Sequence, residues 1–292
     1  MKKLLLVFAH PDDESLAVGG TVAKYAASGW QVYSLCLTGG EAGSTGSYGK
    51  LAKQELAKLR RTELHQAASI LGIKQVTVLG YPDGKLTALP PGKLEEAIRQ
   101  KMLEVSPNLV ITFDPTGGTN HPDHRQTCYA TTYAFQCYAE ELEQAKKFVE
   151  KVSAKEIGVK KRHFWLRHKF ALKQESFAEA VDERLEPKLY YVCLPAHLML
   201  YLRKLKVVPL KLHSKLLLGT PDKKITTIID IRRTKKLKIR AILAHESQIS
   251  GLTGAVSQKV INHLLSKEFY LLRYHGIKEV YMGKDDLIAD RL

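Results

Sequence analysis

The chain is short of the features that would send it to several common classes. Its 292 residues hold four cysteines, Cys36, Cys128, Cys137 and Cys193, and none forms a C-x-x-C pair or another metal-ligand spacing. Reduced structural thiols are therefore expected rather than a disulfide framework, which favours a reducing, cytoplasmic setting. No apolar run approaches the roughly 18 residues of a membrane span. Leu194 to Leu202 is the nearest, and Arg203 and Lys204 follow at once. The stretch between Lys3 and His10 is too short for the apolar core of a signal peptide. No G-x-G-x-x-G or P-loop pattern occurs, so dinucleotide binding lacks its usual signal. No nucleic-acid fold signature, internal repeat or low-complexity linker is found. One domain over residues 1–292 is the expectation.

What the chain does have is an uneven charge. Residues 1–140 carry 14 basic and 13 acidic side chains, a net of +1, so +14 of the total +15 lies in the remainder. A basic half of this kind fits an anionic substrate or surface, and equally a solubility role. Residues 141–187 mix Lys146, Lys147, Lys160, Lys161, Arg162, Arg167 and Lys169 with Phe148, Phe164, Trp165 and Phe170. A basic helical insertion is predicted there, a solvated face, a contact with a partner such as a second subunit, or a face toward an anionic surface such as a membrane or nucleic acid.

The first half reads as alternating strands and helices. Apolar runs at Lys3–Phe8 and Leu109–Phe113 predict buried strands, the first of them parallel, and Gln31–Leu37 and Gln75–Leu79 predict two further strands. Ser15–Ala27, Leu51–Leu71 and Leu94–Val105 predict helices between them. The Gly19-Gly20 pair is expected to let the first helix pack closely on the sheet. Later, Lys188–Cys193, Lys224–Ile231 and Phe269–Tyr274 predict strands, and Arg233–Gln248 one helix. The pattern is a Rossmann-like three-layer α/β/α fold with a mostly parallel sheet.

Two of these strands deliver imidazoles and carboxylates to the place where a helix begins. The first runs into His10-Pro11-Asp12-Asp13-Glu14, the fourth into Asp114 and then His121-Pro122-Asp123-His124. Neutral imidazole and carboxylate suit Zn²⁺, whose catalytic sites keep three protein ligands and an open position. His10 and Asp13 can face one point across the Pro turn, and one histidine of the second cluster, His121 or His124, completes the set. Asp12 is left beside the metal as a general base. A plain helix cap at the first cluster is the structural alternative.

The HPDDE and HPDH motifs together resemble the signatures of the PIG-L/LmbE-like zinc-dependent N-acetyl-sugar deacetylases. The resemblance covers residues 1 to about 128 well and resumes near Leu189 and Ala244. It implies metal ligation by His10, Asp13 and His124, with Asp12 as base, a protonated His121 on the oxyanion, and Asp123 steadying His121 or Arg125. It also implies that Arg60, oriented by Glu63 in an R-x-x-E-L pattern, binds a substrate hydroxyl or phosphate. Glu41 of the Thr-Gly-Gly-Glu-Ala-Gly loop and His245 of Ala-His-Glu-Ser-Gln are placed at the pocket. Some relatives carry a Tyr two residues before HPDH. Here that position is Thr119, with Tyr48 a possible substitute. The function implied is removal of an N-acetyl group from an N-acetylglucosamine-type conjugate. The alternatives are hydrolysis of another small amide or of a bacillithiol- or mycothiol-type conjugate, or a non-catalytic metal-bearing module.

Overall fold

A computed structural model describes residues 1–156, 185–205, 208–249 and 266–280. In chain order the elements are β1 (Lys3–Phe8), α1 (Asp13–Ala27), β2 (Gln31–Thr38), α2 (Lys53–Leu71), β3 (Gln75–Tyr81), α3 (Lys93–Val105), β4 (Leu109–Phe113) and α4 (Pro122–Glu156). They continue with β5 (Lys188–Cys193), α5 (Ala196–Lys204), β6 (Lys211–Leu212), β7 (Lys215–Leu216), β8 (Thr227–Asp230), α6 (Lys235–Leu243), α7 (Glu246–Ile249), β9 (Lys267–His275) and β10 (Lys278–Glu279).

The main sheet runs β10-β9-β5-β4-β1-β2-β3, with β8 also paired to β9. The pairs among β1 to β5 are parallel, and β9 meets β5, β8 and β10 antiparallel. Parallel strands are covered on both faces, which is why β1 and β4 are unbroken apolar runs. Leu4, Leu5 and Leu6 are fully buried, each worth roughly 1.5–3 kcal/mol of transfer free energy. Helices α1, α2 and α6 pack together on one face and α3 with α4 on the other. This is the three-layer α/β/α fold expected.

The strand order fixes where a ligand can go. From β1 the chain steps outward to β2 and β3, then returns to place β4 on the other flank of β1. Leu4, Leu5 and Leu6 pair with Leu109, Val110 and Ile111. The order therefore reverses between β1 and β4, and the crevice beyond their carboxyl ends is the ligand position of an open α/β sheet. Both motif turns leave from that point.

Several expectations are adjusted. The Gly19-Gly20 pair does admit the close neighbour expected, and it is the antiparallel part of the sheet, β8 and β9, together with α6. A Cβ on Gly20 would lie 2.5 Å from Ile231 Cδ1, and one on Gly19 3.3 Å from Lys238 Cγ. Lys238 and Glu268, both buried, bond at 2.6 Å, and Glu268 also accepts from Gly20 N and Thr21 N. The predicted helix 233–248 is two, α6 and α7, broken at Ala244-His245. The hairpin β6–β7 and strand β10 had no apolar alternation to announce them. Of the insertion expected at 141–187, the first part continues α4 to Glu156, and 157–184 lie outside the described residues. All four cysteines are free, with Cys36, Cys128 and Cys193 buried. Among the described residues no helix is long and apolar enough to cross a membrane.

Candidate metal centre

His10 and Asp13 leave the end of β1, and His124 lies in the first turn of α4, which starts at Pro122 as its fixed φ allows. The three meet. His10 Nδ1 is 3.0 Å from His124 Nε2 and 3.6 Å from Asp13 Oδ2, and His124 Nε2 is 3.3 Å from Asp13 Oδ1. Donors about 2.0–2.2 Å from a tetrahedral ion sit roughly 3.3–3.6 Å from one another. The observed triangle needs shifts of only a few tenths of an ångström to hold one.

The surroundings fix which ring atom each histidine offers. His10 Nε2 faces Asp83 Oδ1 at 3.0 Å and Asp123 Oδ2 at 3.4 Å. With the proton on Nε2, the Nδ1 lone pair points at Asp13 and His124. His124 Nδ1 lies 3.0 Å from the Gly117 carbonyl oxygen, so its proton is there and Nε2 is free. A carboxylate or carbonyl behind each imidazole is the usual device for orienting a metal-ligating histidine. The His124 ring also stacks on Phe113, with centroids 4.1 Å apart and 6° between planes. Gly117 is required for this: it has φ 66°, and a Cβ there would lie 2.7 Å from His124 Cβ.

His121 is oriented differently. Its Nδ1 accepts from Asp123 N at 3.2 Å, which leaves a proton on Nε2. Burial, with the charges of His10 and His124, pushes its pKa down to about 4. In this tautomer Nε2–H is a donor whether or not Nδ1 also carries a proton, so the oxyanion role expected from the resemblance does not depend on the charged form. Two other donor groupings share His10, one with His121 and His124 and one with Asp83 and Asp123. A His121 Nδ1 spent on backbone and a His10 Nε2 spent on two carboxylates make both weaker choices than the Asp13 set.

The electrostatics of the cluster call for a cation. Burial disfavours a charge on His10, yet hydrogen bonds to Asp123 and Asp83 and the charge of Asp13 overcome it, lifting its pKa to about 10. Asp83 goes the other way. Burial opposes its charge, and His10 outweighs that, holding it at about 2. A proton on His10 answers the carboxylates only in part. Two imidazoles and a carboxylate facing one point are a donor set that fits a divalent ion.

Asp12 stands beside this triangle. It is the residue before α1 but makes no capping bond with its side chain, so the plain-cap alternative does not describe it. Its φ of 117° is an unfavourable value for a non-glycine residue, of the kind that collects at functional sites. Its carboxylate takes one bond from Arg60 Nη2 at 3.2 Å. Burial raises its pKa to about 7, against the pull of Arg60. A carboxylate poised there suits general-base work near neutral pH.

The remaining expected site residues sit nearby in other roles. Arg60 is buried, and its guanidinium donates to Gly40 O, Pro11 O and Asp12, tying the turn to the loop, while its Nε has no partner. Glu63 does not orient it, because its carboxylate accepts from Ser247 N and Ser247 Oγ, both at 2.7 Å. Asp123 steadies neither His121 nor Arg125 with its side chain. That carboxylate accepts from Gly84 N and Leu86 N and faces His10. Glu41 accepts from Asp83 N at 2.8 Å, fixing the turn that carries Asp83. His245 is buried under the first motif, not at the rim, with Nε2 3.0 Å from Glu14 Oε1. Tyr48 donates to Glu246, so it is engaged away from the oxyanion position.

Asp83, Glu14 and Ser247 were missed as contributors. Asp83 had a faint signal in its Asp-Gly-Lys-Leu turn. Glu14 accepts from Asp12 N at 3.2 Å and so ties His245 to the base's backbone.

The comparisons with known proteins follow this geometry. The profile described as PIG-L, GlcNAc-PI de-N-acetylase, matches residues 5–135. Over 296 residues the chain is 30% identical to the 1D-myo-inositol 2-acetamido-2-deoxy-alpha-D-glucopyranoside deacetylase of Rhodococcus erythropolis, covering 93% of this chain and 90% of that one. The chain belongs to the PIG-L family. It is an enzyme, a de-N-acetylase acting on a carbon–nitrogen bond, and PIG-L deacetylases are metal-dependent. A Bacillus anthracis protein named as a probable N-acetyl-alpha-D-glucosaminyl L-malate deacetylase is 40% identical over 134 residues, 46% of this chain and 59% of the relative. The N,N'-diacetylchitobiose deacetylase structure from Pyrococcus horikoshii shares the fold, with a TM-score of 0.56 at 20% identity over 93% of this chain and 83% of that one.

Proposed function

We propose that this PIG-L enzyme removes the acetyl group from an N-acetylglucosamine conjugate, with Zn²⁺ held by His10, Asp13 and His124. The observation that carries the site assignment is the triangle of His10 Nδ1, Asp13 and His124 Nε2 at 3.0–3.6 Å. When bound, zinc supplies Lewis acidity at the acetyl carbonyl and acidifies water. The chain's own groups account for the rest. Asp12 takes the proton from the attacking water. His121 donates Nε2–H to the carbonyl oxygen as it gains charge, a contribution of about 3 kcal/mol for one such donor. Asp12 then returns its proton to the sugar nitrogen, and the C–N bond breaks to give acetate and the free amine. Asp83 and Asp123 hold His10, the Gly117 carbonyl holds His124, and Arg60 holds Asp12.

The chain is read as one domain over 1–292, and the four free thiols fit a cytoplasmic setting. The test is metal content measured together with acetate release from N-acetylglucosaminyl inositol, N-acetylglucosaminyl malate, diacetylchitobiose and a simple acetamide. Release from the sugar conjugates by zinc-loaded protein is expected. Hydrolysis of the simple amide alone, or an occupied metal site with no turnover, would contradict the reading.

A further inference from the structure

Four histidines gather at these strand ends, and the mechanism uses three. The fourth is His213, at the tip of the hairpin formed by β6 and β7. Its turn, His213-Ser214, has both residues at positive φ, 49° and 61°. Such two-residue turns favour Asn or Gly, and neither is present, so the tip is held against local preference. The restraints come from the metal centre's own loop. Asn120, the residue before His121, donates from Nδ2 to Leu216 O at 3.2 Å. Arg203 donates to Leu217 O. Thr220 bridges to Pro195 and donates to Asp114 Oδ2 at 3.4 Å. Tied down in this way, the His213 ring stands edge-on to His121, with centroids 5.0 Å apart and 84° between planes.

His213 is exposed, so the fold does not spend it. The chain around it is of one sign: from Lys188 to Pro221 there is no Asp or Glu, and Lys211 and Lys215, both exposed, flank the tip. His121 links the two groups: its ring centroid is 4.9 Å from those of His10 and His124 and 5.0 Å from that of His213.

We propose that the Lys211–Leu216 hairpin is the subsite for the group joined to the sugar, that His213 contacts that group, and that the subsite favours one bearing a carboxylate or phosphate. This rests on the deacetylase reading above and names its substrate class. Opposite charges held at a partly exposed mouth give modest selectivity, about tenfold, which falls as salt screens it.

The test uses the zinc-loaded full chain and calorimetric binding of deacetylated products: glucosaminyl malate, glucosaminyl inositol phosphate, glucosaminyl inositol and methyl glucosaminide. Turnover of the acetylated counterparts is then measured. The two anionic glycosides are expected to bind about tenfold tighter than the neutral inositol glycoside, with the gap closing in high salt. Their relative affinities separate carboxylate from phosphate. A Lys211→Glu/Lys215→Glu variant should abolish the gap, with the neutral glycosides losing less affinity than the anionic ones. His213→Asn, which suits the turn, should raise KM for the conjugates by a clearly larger factor than KM for the methyl glycoside, its contact with His121 accounting for any smaller common loss. Equal binding of neutral and anionic glycosides, or a His213→Asn loss as large on the methyl glycoside, would overturn the subsite. Selective binding without turnover would contradict the deacetylase reading and leave the subsite standing.

Discussion

The two halves of the molecule do different work. Residues 1–140 are nearly neutral and bring every proposed metal ligand, the base and the oxyanion donor to the ends of β1 and β4. The second half carries the charge and none of those groups, yet it holds them in place. Residues 245–248 show how. His245 pairs with Glu14, Glu246 accepts from Tyr48, Ser247 bonds Glu63, and Gln248 reaches Ser44 O. Four consecutive residues thus buckle the first motif, the loop 38–50 and α2 to one another. Chemistry comes from the first half, which also orients its own ligands, and the second half adds a brace around them.

That division can be broken from either side. The largest effect is expected on the first half. His124→Ala should lose the metal and drop turnover to background while the far-ultraviolet spectrum stays native, as checked by metal analysis and acetate release. Asp123→Asn keeps the ligands but weakens the grip on His10 and the Gly84–Leu86 turn. A loss of about 10–100-fold in metal affinity is expected, measured by competition with a chelator. A native affinity in that variant would mean Asp83 alone orients His10.

The pH dependence of the metal-free protein sharpens the same point. The His10 pKa, ordinarily 6.5, is raised to about 10 in the fold, because the Asp123, Asp83 and Asp13 carboxylates outweigh the cost of its burial. A raised basic pKa contributes stability that is complete below about 6.5 and is lost as pH climbs through about 10. Asp12, raised by burial, acts in the same sense at lower pH. The chelator-treated protein should therefore melt lower at alkaline than at neutral pH, more steeply than a His10→Gln variant, and zinc should flatten the slope.

The smallest effect belongs to the second half. Ser247→Ala removes one hydroxyl bond to the Glu63 carboxylate and should cost about 1–2 kcal/mol in denaturant unfolding with metal content unchanged. Loss of metal in that variant would erase the distinction between the halves.

The same division governs what could be read from the sequence. Strands β1 and β4 announce themselves because parallel strands buried on both faces must be continuous apolar runs, whereas the edge strand β3 holds no fully buried residue. HPDDE and HPDH are legible because each is compact and each follows such a strand. Contacts made by topology are not legible. Nothing local says that Asp83, at the end of β3, will face His10, or that a lysine-rich hairpin will bring His213 to His121. The partners of Arg60 are not legible either, since its spacing to Glu63 does not reveal that Gly40, Pro11 and Asp12 will accept from the guanidinium. The helix at 233–248 breaks because His245 and Ser247 are drawn inward to Glu14 and Glu63, partners about two hundred residues away in sequence.

The most direct test of the central claim is the Asp12→Asn variant, assayed for bound zinc and acetate release on the same preparation. The account expects zinc bound as in the unaltered protein and turnover reduced by about 10²–10⁴-fold. Unchanged turnover, or zinc lost together with activity, would contradict the separation of base from metal ligands on which the mechanism stands.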